Sequence, residues 1–125
     1  MRILLLLPLL FAASAAAAQA DWSHAHRLEV RLSSFDYDPE VIRLRAGQPV
    51  VLRLVNSGGG GHNFSAPQFF AAARDVGGPV EDGAVEVPGR RTVEVRLVPA
   101  AGRYRLRCTH TFHTTLGMRG TIVVE

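Results

Sequence analysis

The stretch Tyr104-Arg105-Leu106-Arg107-Cys108-Thr109-His110-Thr111-Phe112-His113-Thr114-Thr115-Leu116-Gly117-Met118-Arg119-Gly120-Thr121-Ile122-Val123-Val124 places soft metal donors between two strand-like segments. Its two ends read as short β-strands, Tyr104 to Arg107 and Thr121 to Val124. Between them lie one thiol, two imidazoles and one thioether. Such donors select copper or another soft transition metal over magnesium or calcium, which prefer oxygen. A loop of this length curls enough to bring Cys, His and Met to one ion while the flanking strands stay paired.

Working outward, the same two-residue alternation recurs in Arg27 to Leu32, Val41 to Arg45, Val50 to Val55 and Thr92 to Leu97. That period turns one face of each strand toward a core. Turn signals separate the segments: Asp38-Pro39, Ala46-Gly47-Gln48-Pro49, Val87-Pro88-Gly89 and Ala100-Ala101-Gly102. Six or more short strands with such spacing predict an all-β fold, a single antiparallel Greek-key β-sandwich or a barrel. One segment breaks the rhythm. Ser65-Ala66-Pro67-Gln68-Phe69-Phe70-Ala71-Ala72-Ala73 offers Ser65 as an N-cap, an early proline and good helix formers, which predicts a short inserted helix. Phe35, Tyr37, Phe69 and Phe70 read as core or loop packing.

Residues 1–20 read as a signal peptide, with Arg2, a Leu-rich run and the small-residue site Ala18-Gln19-Ala20. Their removal leaves about 105 residues, enough for one core and too few for two domains. The expected organisation is a flexible segment at 21–27 followed by one domain over 28–125. All fourteen basic residues are Arg, against eleven carboxylates. The arginines alternate with apolar residues, the pattern of a solvated strand face and not of a nucleic-acid footprint. No membrane attachment is expected after cleavage, and the chain reads as a monomer.

Cys108 is the single cysteine, so an exported chain of this kind closes no internal disulfide. A buried inert thiol, an intermolecular disulfide partner and a metal-bound thiolate all explain it from the count alone. A second imidazole for a metal site is offered by Gly61-His62-Asn63-Phe64, which follows the run Gly58 to Gly61. No Ser-His-Asp arrangement, carboxylate pair or phosphate-binding loop is present, so hydrolysis and group transfer lack their reacting groups. The chain does not read as an enzyme.

With these residues in view, the chain resembles the cupredoxin family, the plastocyanin- and azurin-like blue copper proteins. Gly61-His62-Asn63 is similar to azurin, as is Cys108-Thr109 followed by His113 after four intervening residues. The resemblance covers roughly Leu28 to Glu125. It implies one copper ion held by His62, Cys108 and His113, with Met118 as the weak axial donor. Gly61 matches a glycine whose carbonyl approaches copper, and Asn63 and Thr109 fall where outer hydrogen bonds tie the ligand loops together. The sequence departs from azurin in two ways: four residues separate His113 from Met118 where azurin has three, and His110 intrudes as an alternative ligand.

The implied function is a periplasmic single-electron shuttle between transient redox partners, cycling Cu(I) and Cu(II). His113 would be the electron exit, among Thr111, Phe112, Thr114 and Leu116. The alternative is a copper chaperone or resistance protein that delivers metal to an acceptor protein, with His24, His26 and His110 as extra imidazoles and Gly58 to Gly61 as an opening loop. His24 and His26 read as part of an exposed, disordered tail, with transient copper capture as the alternative, since cleavage after Ala20 puts His24 fourth where an amino-terminal copper clasp wants His third.

Overall fold

The computed structural model describes residues 8, 10, 19–110, 113 and 116–125. Of the expected signal peptide, only Pro8, Leu10, Gln19 and Ala20 lie among them. The first strand, β1 (His26–Ser33), shows how the pattern becomes structure: Val30 and Leu32 are buried while Arg27, Glu29 and Arg31 face out. The remaining strands are β2 (Asp36–Asp38), β3 (Val41–Leu44), β4 (Val50–Asn56), β5 (His62–Ser65), β6 (Arg74–Gly77), β7 (Ala84–Val87), β8 (Arg91–Val98), β9 (Gly102–Arg107) and β10 (Arg119–Val124). An α-helix, α1 (Pro67–Ala72), lies between β5 and β6.

The strands form two five-stranded sheets, in the orders β2-β1-β4-β8-β6 and β3-β10-β9-β5-β7. Together they make the expected β-sandwich with an inserted helix. Most pairs are antiparallel, but β1 runs parallel to β4 and β3 runs parallel to β10. These parallel partners are strands whose chain crosses to the other sheet between them, so no tight hairpin joins them. Leu52, Leu54, Val95 and Leu97 from the first sheet meet Phe64, Val85, Leu106 and Ile122 from the second in one continuous core. Tyr37, Phe64, Phe70, Phe69 and Tyr104 add a chain of edge-to-face aromatic contacts beneath α1, a preferred arrangement for ring quadrupoles.

The outward face of the first sheet carries the arginines as expected. Arg27, Arg31 and Arg53 alternate with Glu29 and Glu94 in exposed ion pairs of 3.2–4.0 Å. Exposed pairs of this kind contribute little stability, so their role is solvation and register.

Two expected boundaries move. The tail at 21–27 is not free: Asp21 caps a 3-10 turn over Trp22–His24, Arg96 lies over the Trp22 ring, and His26 and Arg27 already pair with Val50 and Val51. Alternation in β1 begins with polar residues, which hides where the ladder starts. Ser65 is not the helix cap either. It ends β5, paired with Ala84 and Arg107, and Ala66 occupies the cap position without a side-chain hydrogen bond. Pro67 starts the helix, where its missing N–H costs nothing.

Candidate metal centre

Three of the residues singled out by sequence converge at one end of the second sheet. His62 opens β5, Cys108 follows β9 and His113 lies in the connection to β10. One donor atom from each lies within 4.8 Å of the other two. His62 Nδ1 and His113 Nδ1 are 3.2 Å apart, and Cys108 Sγ is 3.3 Å from His113 Nδ1. Imidazole and thiolate bonds of about 2.0–2.3 Å around a trigonal ion put donors roughly 3.5–4 Å apart. The donor set therefore fits one small soft cation. Cys108 is fully buried and His62 nearly so, while His113 is partly exposed.

The loop is closed by its own backbone. Cys108 N–H donates to the Met118 carbonyl at 3.1 Å, His113 N–H to His110 at 3.1 Å, and Met118 N–H to His113 at 2.8 Å. In that last turn Gly117 has φ +97, a left-handed conformation that suits glycine. Met118 is fully buried just before β10.

Asn63 ties the two ligand segments together. Its Oδ1 accepts from Thr109 N–H at 2.9 Å, its Nδ2 donates to Thr109 Oγ1 at 2.7 Å, and its backbone N–H points at Cys108 Sγ at 3.5 Å. Its carbonyl accepts from the buried Tyr37 hydroxyl at 2.6 Å, a link from the opposite sheet. Burial pushes the Tyr37 phenol far above its ordinary range, with the charge of Cys108 adding to the effect, so the hydroxyl keeps its proton.

Glu86 and Asn56 are site residues that the sequence reading missed. Glu86, on β7, accepts from Asn63 Nδ2 at 3.0 Å through Oε1 and meets His110 Nε2 at 2.8 Å through Oε2. Partial desolvation works to raise its carboxyl pKa, but the hydrogen bonds from Asn63 and His110 and the charge of His110 outweigh it and hold the group below its ordinary value. His110 thus turns toward a carboxylate and stands outside the cluster formed by His62, Cys108 and His113.

Buried Asn56 pins the glycine run that leads to His62. Its Nδ2 donates to the carbonyls of Gly60 and Val87 at 2.8 and 3.0 Å, and its Oδ1 accepts from Gly58 N–H at 3.1 Å. Arg90 N–H adds a bond to the Gly58 carbonyl. The run also packs too closely for side chains on its neighbour: a Cβ at Gly89 would stand 2.2 Å from the Gly59 carbonyl oxygen. The signal was an Asn two residues before a glycine, which closes its own turn. Gly61 sits beside His110, whose Cε1 is 3.5 Å from the Cβ position.

His62 has its pKa lowered, first by burial and then by the neighbouring His113 and His110. A neutral imidazole keeps a lone pair for a metal, so burial favours the ligating form. Of the tail histidines, His24 Nδ1 bonds Asp21 Oδ2 at 2.8 Å, while the His26 backbone N–H donates to the Pro49 carbonyl at the start of the β1–β4 ladder. The Asp21 carboxyl is held down to about 2 by the Ser23 hydroxyl and then by His24. Of the expected surface around His113, Leu116 is exposed, while Thr111, Phe112 and Thr114 lie outside the described residues.

Comparison with known proteins agrees with this geometry. The profile of the Cupredoxin-like domain family matches residues 2–124, and the chain belongs to that family. Among solved structures it is similar to dithionite-reduced auracyanin from Roseiflexus castenholzii, at 19% identity and TM-score 0.62 over 81% of this chain and 98% of that one. Auracyanin A from Chloroflexus aurantiacus, described as a blue copper protein, aligns at 24% identity and TM-score 0.59 over 79% and 98%. The McoA multicopper oxidase of Aquifex aeolicus aligns at 16% identity and TM-score 0.65, over 89% of this chain and 32% of that one. At these identities the likeness is one of fold. No curated protein sequence matches the chain significantly.

Proposed function

We propose that the protein binds one copper ion and carries single electrons between redox partners. The observation that carries this reading is the convergence of His62, Cys108 and His113 within 4.8 Å. Two imidazoles and a thiolate, with the thioether of Met118 as a long axial donor, make the donor set of a blue copper site. Bound copper supplies a one-electron couple in such a set.

The protein's own contribution is to hold the donors still. Cys108 is sealed from water and faced by the Asn63 N–H, while the Thr109–Asn63 bonds fix the distance between the two ligand segments. Rigid donors reduce the rearrangement accompanying each electron, and hydrogen bonds to sulfur tune the potential. All strong donor positions in this reading belong to the protein, which suits a carrier better than an enzyme. The partly exposed His113 edge is the exit for the electron. An exported, periplasmic setting follows from the expected signal peptide; among the described residues no helix is long and apolar enough to cross a membrane.

Titration of the protein with Cu(II), followed by visible and electron spin resonance spectra, tests this reading. One equivalent should produce an intense thiolate-to-copper band that Cys108→Ser abolishes; a colourless complex removes the assignment. Retention of copper through repeated reduction and oxidation distinguishes a carrier from a protein that hands copper to an acceptor.

A further inference from the structure

Glu86 sits on β7, outside both ligand-bearing segments, yet it touches each of them. Oε1 takes the Nδ2 hydrogen of Asn63, the residue after His62, and Oε2 pairs with Nε2 of His110, which lies in the loop between Cys108 and His113. The neighbouring bonds remove any freedom in this arrangement. Asn63 Oδ1 is committed to Thr109 N–H, so the amide cannot flip without losing both that bond and the one to Glu86. His110 is confined as well, with its ring 5.6 Å from the His113 ring at a tilt of 36° and against Gly61.

We propose that Glu86 is a positioning residue that spaces the two ligand segments and holds His110 away from the metal. The proposal rests on the copper reading above. His110 is an imidazole one ring away from the ligand set, so it is the nearest competitor for an ion placed there. A carboxylate is an acceptor only, and it offers one oxygen to each segment at once. No apolar or cationic side chain at position 86 reproduces that bridge. Removing it leaves the Asn63 side chain with Thr109 alone and leaves His110 free to swing toward His113.

The test uses the full chain as wild type, Glu86→Ala, Glu86→Gln and the double variant Glu86→Ala/His110→Phe, each titrated with copper sulfate. Loss of an outer-shell partner typically costs 10–100-fold in metal affinity, so Glu86→Ala should bind copper roughly tenfold more weakly. It should also show a second copper species by electron spin resonance, from His110 entering the coordination. Removing His110 as well should restore a single species while leaving the affinity low. Glu86→Gln keeps an acceptor for Asn63 but turns a donor amide toward His110, so its affinity should exceed that of Glu86→Ala while part of the second species remains.

A single unchanged spectrum with undiminished affinity in Glu86→Ala would overturn the proposal. So would persistence of the second species in the double variant, or a loss of apo-protein stability matching the loss of affinity, since Glu86 would then hold the fold and not the ligands. Failure of the copper reading itself is separate: wild type would then lack the thiolate band.

Discussion

The ring of Phe35 stands edge-on to the imidazole of His113, with centroids 5.4 Å apart and planes at 89°. Phe35 occupies the two-residue turn between β1 and β2, where Ser33 pairs with Asp36, and its φ is +66. A bulky side chain in the left-handed region is strained and persists only where surrounding contacts fix it. Here an aromatic ring 40% exposed to solvent braces the partly exposed metal ligand. The first sheet thereby reaches the ligand loop from outside, as Tyr37 does from within.

Two effects of similar size oppose each other at Phe35. The left-handed backbone costs about 1–2 kcal/mol without glycine, and an edge-to-face pair contributes about 0.5–1.5 kcal/mol. Phe35→Gly loses the contact but relieves the strain, so its stability should stay near wild type. Phe35→Ala loses the contact and keeps the strain. In urea unfolding of the apo-protein, the Ala variant should be less stable than the Gly variant by about 1 kcal/mol, the reverse of the ordinary order; equal stabilities would mean the turn carries no strain.

Tyr37→Phe removes the hydroxyl that ties the first sheet to Asn63 and leaves the buried Asn63 carbonyl without that donor. An unsatisfied buried group costs about 1–3 kcal/mol. Denaturant unfolding should show a loss of that size with an unchanged m-value. No loss would mean that water or a shifted backbone replaces the phenol.

Met118→Leu should retain copper, because three donors remain, and should raise the reduction potential. An axial thioether favours Cu(II), and each tenfold weakening of Cu(II) relative to Cu(I) raises the potential by about 59 mV. Voltammetry of the loaded protein measures the shift directly. An unchanged potential would show that buried Met118 only fills space.

The stability of the apo-protein should rise with pH through the histidine range. His62 has its pKa lowered by burial and by His113 and His110, so the unfolded chain binds more protons than the folded one between that lowered value and 6.5. Stability then increases with pH across this window and falls as pH drops below 6.5; below the lowered value both states are protonated and the slope vanishes. Thermal melts of the apo-protein at stepped pH, compared with His62→Gln, check this. The slope contributed by His62 should disappear in the variant.

The sandwich was legible because β1 and β8 alternate apolar and polar residues in the plain two-residue period, and the ligands because their chemical types are few. β5 was not legible as a strand, since all four of its residues are buried, including His62, Asn63 and Ser65. Covered on both faces, it has no solvent side on which polar residues would mark a period. β6 fails in the opposite way, with almost no buried residue; pairing with β8 alone makes it a strand. Asn63 was readable by its resemblance, whereas Glu86 was not, because it acts on residues 23 and 24 positions away. Such contacts exist only after β7 has docked beside β5. Asn56 reaches Val87 across 31 positions for the same reason.

His62 on β5 and Cys108 at the end of β9 belong to adjacent strands of one sheet, and the His113 loop leaves from that same sheet. When one layer of the sandwich slides over the other, the donors travel together as passengers on a single layer. A shift between the layers would therefore change the shielding of the centre more than the size of the triangle of donor atoms.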